Sequence, residues 1–208
     1  MADEQVQHLG IRFSALTALM HRPQILTGWI RDILLRHFQE GQIEHPELAR
    51  LIWHDTERAN ILIENHTNWT PDISGRRPAI ILKRNAFENV RLGIADRHTG
   101  VGLDGKDMFT TFWTGSHTCF CIGETGAQAE VLATEVQREF TRYADVFREE
   151  LGMHRFRVIS VGEVSQLEEA TENFVVPVTA GYSFEESWIA GPDAPILHKI
   201  SLSLSSLL

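Results

Sequence analysis

The chain has 208 residues, 43% of them hydrophobic and including 11 Phe and 5 Trp, which is enough apolar material for a folded core and excludes global disorder. A formal net charge of −9 argues against a protein that grips duplex DNA by neutralising its phosphates. The N-terminal Met-Ala-Asp-Glu-Gln lacks the basic and apolar regions of a signal peptide, and no apolar run is long enough to span a bilayer.

Residues 1–21 show mixed polarity and weak periodicity, and Ile11, Phe13, Leu16 and Leu19 fit a short strand or a helical turn equally well. Pro23 suits a first helical position, and Ile25, Trp29, Ile30, Ile33 and Leu34 form a stripe that predicts a helix through Phe38, closed by Gly41. A shorter helix is predicted over 46–53. Strands follow over 60–66 and 78–84, the second carrying the apolar run Ala79-Ile-Ile-Leu82. Residues 85–106 are polar and Gly-rich and read as a long loop or an extended hairpin arm, a length that in a compact domain usually serves a function. A strand over 106–113 leads to Gly115, which reads as a bulge or bend before a central strand over 116–122.

Thr125 is a good N-cap, and Gln128 three residues later has capping-box spacing. Leu132, Val136, Phe140, Tyr143, Phe147 and Leu151 then recur at three- and four-residue steps, predicting one long amphipathic helix of about 25 residues, roughly 37 Å, against which the strands pack. Glu130, Glu135, Arg138, Glu139, Arg142, Glu149 and Glu150 lie mostly off that stripe and are expected in water, and Gly152 ends the helix. A strand over 154–161 places Phe156 and Val158 opposite Arg155 and Arg157. An acidic connection over 162–173 carries Glu163, Glu168, Glu169 and Glu172, with a helical turn at 167–171. The strand over 174–188 contains Pro177, a mark of an edge or a bulge, and the alternation from Ile196 to Leu204 predicts a last strand. Most strands follow one another without a crossover helix. The fold class is therefore α+β: a mostly antiparallel sheet packed on one long helix, with N-terminal helices and a hairpin-like loop. The chain reads as a single domain over 1–208, with N-terminal helices over 1–55, the sheet and long helix over 56–190, and a C-terminal strand over 191–208.

Motifs for chemistry are few. Gly100-Val-Gly102-Leu-Asp-Gly105 has dinucleotide-fingerprint spacing, but residues 108–113 after it read as a strand and not as the helix that would hold a pyrophosphate. His117-x-Cys119-x-Cys121 places three metal-ligating side chains on one strand face, and three steps along a strand spread too far for one ion without a fourth ligand such as His154. Burial is the simpler reading of the thiols, and two cysteines on one strand face are poorly placed for a disulfide, which suits a reduced, intracellular site of assembly. No Ser sits in a nucleophile elbow, His198 alternates with apolar neighbours, and the glutamates of 162–173 lack the spacing of a calcium loop. The mixed charges Arg91, Asp96, Arg97, His98, Asp104, Lys106 and Asp107 fit either a solvated hairpin or an arm that pairs with a neighbouring subunit, where complementary charge sets register.

Three stretches carry a resemblance: Arg77-Pro-Ala-Ile-Ile-Leu-Lys83; His117-Thr-Cys-Phe-Cys121, leading through Gly-Glu-Thr-Gly126 into the helix; and Phe156-Arg-Val-Ile-Ser-Val-Gly-Glu163, followed by Leu167-Glu-Glu169 and the strand Phe174 to Tyr182. Their order over residues 60–190 resembles the tail terminator, or tail completion, proteins of tailed bacteriophages. The resemblance implies a structural virion protein with no catalytic residue, cofactor or metal. It implies a homo-oligomer, a hexameric ring that caps the tail tube and meets the head connector, while DNA passes the lumen without specific binding. It places the protein in the virion neck, assembled in the host cytoplasm and without a membrane. Another neck connector or adaptor is an alternative, and a metal-dependent enzyme using His117, Cys119 and Cys121 is one of a different class.

Overall fold

The computed structural model describes residues 22–40, 61–68, 78–91, 98–101, 107–167 and 170–190. In chain order these form helix α1 (Arg22–Glu40), strand β1 (Leu62–Asn65) with a 3-10 turn at His66–Asn68, β2 (Ala79–Val90), β3 (His98–Val101), β4 (Asp107–Gly123), α2 (Gly126–Arg142), α3 (Ala144–Glu150), β5 (Met153–Val161), β6 (Ser165–Leu167) and β7 (Ala170–Ala190). The helix expected over 46–53, the last strand over 196–204 and residues 1–21 lie outside the described residues.

The strands make one mixed, mostly antiparallel sheet in the order β1-β2-β4-β7-β5, with β3 beside β4 and β6 beside β7. β1 and β2 run parallel, and every other pair is antiparallel. The period of two along each strand sorts the side chains. Ile80 and Leu82, Cys119 and Cys121, Phe156, and Val176, Val178 and Ala180 point to one face, where they meet Leu26, Ile30 and Leu34 of α1 and Leu132, Val136 and Phe140 of α2. The alternate residues Ala79, Ile81, Ile122 and Val175 make a smaller apolar cluster on the other face. Farther along, that second face turns polar: Asn85 donates to Ser116 and Thr118 at 3.0 and 2.8 Å, and Thr118 and Thr179 meet at 3.1 Å.

Several elements differ from the expectation. The helix after Thr125 is two helices and not one, broken at Tyr143, whose φ of −96° and ψ of 5° depart from helical geometry. The bend re-aims α3 so that Phe147 meets Phe156 at 4.6 Å and Trp29 at 6.4 Å, while Phe140 on α2 meets Phe156 edge-on at 5.9 Å. The Thr125 hydroxyl accepts from the Gln128 N–H at 3.2 Å, and the Gln128 side chain returns to the Glu124 N–H at 2.9 Å. Glu135 and Glu139, expected in water, are buried because His37 of α1 lies between them: His37 Nε2 is 3.2 Å from Glu135 and Nδ1 is 3.4 Å from Glu139. Residues 85–90, expected in a loop, continue β2 through a register shift between Arg84 and Phe87. Opposite that shift β4 runs without a break, and Gly115 is where it needs no side chain: a Cβ there would come within 2.8 Å of Phe87 and of the Tyr182 hydroxyl.

Of the helical turn expected at 167–171, Leu167 ends β6 and Ala170 and Thr171 open β7, while residues 168–169 lie outside the described residues. Pro177 sits in the sheet interior, because the chain on its donor side is changing from β5 to β6: Val178 still pairs with Val161, and Val175 already pairs with Ser165. Its carbonyl accepts from the Gly162 N–H at 2.8 Å, and the contact is so close that a Cβ on Gly162 would overlap the Pro177 ring at 2.6 Å.

Candidate functional site

β4 and β7 outrun the core. Among the described side chains the inward-facing core residues of β7 end at Phe184, while its pairing with β4 continues to Ala190 opposite Asp107, about 20 Å farther at the rise of an extended strand. β2 follows β4 as far as Val90 opposite Phe112, and β3 takes the same edge from His98 opposite Phe109 to Val101 opposite Asp107. The result is a ribbon that runs beyond the core under the described helices. Cross-strand contacts stiffen it where it leaves the core. The Trp113 ring N–H donates to Thr111 and Glu186, each at 3.1 Å, and its face meets Phe87 at 5.4 Å. On the other side Phe112 lies against His154 at 5.5 Å, with Glu185 3.3 Å from the His154 ring, and Thr110 meets Ser187 at 3.0 Å.

Some of the charged residues expected in an arm fall on this ribbon. Arg91 is exposed directly after β2, His98 opens β3 and Asp107 opens β4, so the three share one end of the sheet. Asp96, Arg97, Asp104 and Lys106 lie outside the described residues. At the far side of the sheet β5 pairs with β7 alone among the described strands, and it leaves Ile159 and Val161 exposed at 53% and 45%. An edge strand with bare apolar side chains is a ready surface for another chain.

The His117-x-Cys119-x-Cys121 stretch faces inward, beneath α1. The Thr27 hydroxyl donates to the Pro23 carbonyl at 2.9 Å, so it accepts from His117 Nε2 at 2.7 Å, which leaves Nδ1 bare. His117 Nδ1 and the hydroxyl of Tyr182, whose rings are 5.4 Å apart, are both buried without a hydrogen-bond partner. Burial, and then the nearby Arg84 charge, push the His117 pKa down to about 4, so the ring is neutral at pH 7. Burial pushes both thiols up, and they stay protonated, which is the inert form of cysteine. His154, the fourth ligand the sequence offers, is on the opposite face with Phe112 and Glu185. Among the described residues no three His, Cys, Asp or Glu side chains are placed to share a metal ion. The Gly100–Gly105 stretch leads into β4, a strand. Of the acidic connection, Glu163 and Glu172 are exposed, and Glu168 and Glu169, like His198, lie outside the described residues. Among the described residues no helix is long and apolar enough to cross a membrane.

The Arg22 guanidinium, unremarked in the sequence, ties the start of α1 to the sheet. It donates to the carbonyls of Gly152 and Glu185 at 3.1 and 2.8 Å and lies over the Phe184 ring at 5.4 Å. No family profile matches the sequence, and no characterised protein matches it closely enough to indicate a relationship.

Proposed function

We propose that the chain is a ring-forming assembly protein of a tailed-bacteriophage neck, a tail terminator that caps the tail tube and meets the head connector. The observation that carries this reading is the β2–β3–β4–β7 ribbon, whose pairing extends past Phe184, the last buried apolar residue of β7 among the described side chains. Among the described residues no core lies beneath this ribbon, and a neighbouring copy is the surface we propose packs on it. Such a contact is head-to-tail, and it closes into a ring when the rotation between copies divides a full turn. Arg91, exposed just after β2, lies at the same end of the sheet as the starts of β3 and β4, and charge there sets the register of the contact we propose. The exposed Ile159 and Val161 on edge strand β5 favour association as well. Inert thiols and a neutral, buried His117 supply neither a nucleophile nor a metal site, which favours assembly over chemistry. The acidic balance suits a lumen through which DNA slides without sticking.

Electron microscopy of the purified chain, alone and mixed with tail tubes of its own virus, tests the reading. Closed rings seated on blunt tube ends are expected. Monomers that leave the tubes bare and still growing would refute it.

A further inference from the structure

Strand β5 carries two like charges on one face. Arg155 pairs with Ser183 and Arg157 with Gly181 of β7, while Phe156 between them pairs with Tyr182 and enters the core. Both arginines therefore stand on the open face of the sheet, away from the helices, and both are exposed. Ile159, 53% exposed, lies on the same face: a Cβ on Gly181 would come within 3.0 Å of its side chain. Neither arginine is in an ion pair among the described residues. On that face the Glu185 carboxylate is already taken by His154, at 3.3 Å.

The other side of the same strand carries the complement. α3 is packed there by Phe147, which meets Phe156 at 4.6 Å. The cations of α2 and α3 are each engaged on their own helix: Arg138 with Glu135, Arg142 with Glu139 and Arg148 with Asp145. Glu149 and Glu150, at the end of α3, are exposed and in no ion pair among the described residues. They also sit at the negative end of the helix, where a carboxylate is disfavoured. Val146, half-buried, stands three and four residues before them and so shares their side of α3.

Each copy thus presents a basic pair beside an isoleucine on one side of β5 and an acidic pair beside a valine on the other. The two patches face opposite ways and form no ion pair within the chain, and a second copy can bring one to the other. We infer that Arg155 and Arg157 of one copy dock on Glu149 and Glu150 of the next, with Ile159 against Val146. Two different patches on one chain make a head-to-tail contact, and opposed pairs of charge fix its register. This contact presupposes the ring proposed above and acts beside the ribbon.

Charge reversal in two variants tests it. Arg155→Glu with Arg157→Glu makes both patches acidic, and Glu149→Arg with Glu150→Arg makes both basic. All four positions are exposed, so circular dichroism is expected to show both variants folded. In sedimentation at low salt, each variant alone is expected to associate about a hundredfold more weakly than the parent chain, because like charges then face one another. The two variants mixed in equal amounts are expected to recover association, since each basic patch finds an acidic one on the other variant. A parent chain that forms rings while either variant alone does so equally well, or a mixture that stays dissociated, would overturn this contact and leave the ring standing. Rings of the arginine variant that form but no longer seat on tail tubes would assign the basic pair to the tube protein and overturn it as well. A parent chain that is monomeric with and without tubes would refute the ring and this contact together.

Discussion

A proton arriving at His117 finds only the bare Nδ1, a site with no acceptor beside it and the Arg84 charge nearby. The unfolded chain offers the same ring in water at its ordinary pKa of 6.5, so below that value the unfolded state binds the proton first. The folded pKa is depressed, and the sign follows: this group's contribution to stability is complete above pH 6.5 and is lost as pH falls towards 4. The loss amounts to about 3 kcal/mol. Urea unfolding of the parent chain and of His117→Gln, compared at pH 7 and pH 4.5, reads it. Gln keeps a donor for Thr27 but does not titrate, so its stability falls less over that interval. Equal losses in the two proteins would show that the ring is not the titrating group. The shared face of His117, Cys119 and Cys121 was legible in the sequence, because a period of two is local. The Thr27 partner was not, since it stands ninety residues away on another element.

The helices and strands themselves were legible where apolar spacing is dense. Leu132, Val136, Phe140, Phe147 and Leu151 all lie buried, as a stripe at three- and four-residue steps requires. The stripe did not reveal the break at Tyr143, because a bend of one residue preserves the spacing on either side. It did not reveal the fate of Glu135 and Glu139 either: the counterpart is His37 on α1, and a charged residue at the border of an apolar face shows no local sign of it. Phe140, wedged against Phe156, carries a direct test: Phe140→Ala is expected to cost about 3 to 5 kcal/mol, and an unchanged unfolding midpoint would contradict the packing. His37→Ala is expected to cost a similar amount, about 3 to 5 kcal/mol, because it strips the side chain that stands between two buried carboxylates one helical turn apart. The exposed Arg138 and Arg142 still reach those carboxylates from outside and soften the loss, but do not replace a buried partner. Denaturant titration of the variant checks this, and a change under about 0.5 kcal/mol would show that the carboxylates are adequately solvated without His37.

On the scale of the whole molecule, the antiparallel character of the sheet followed from strands that succeed one another without crossover helices. The single parallel pair did not, because pairing β1 with β2 depends on a connection whose path has no signature in composition. The length of the ribbon was hidden for a different reason. Residues 85–90 are mostly polar, with Phe87 and Val90 too few to show a pattern, and such a strand looks like a loop until its pairing with β4 is seen. On the function proposed above, that ribbon is what makes the chain a ring-forming subunit in place of a self-contained domain. Deleting residues 94–104 removes β3 from the edge of that ribbon and spares the core beneath the described helices. Sedimentation of the full chain and of the shortened chain, with circular dichroism to show that both are folded, weighs the account most directly. The full chain is predicted to sediment as a closed ring and the shortened one as a folded monomer; a full chain that stays monomeric with and without tail tubes, or a shortened chain that assembles as well as the parent, contradicts it.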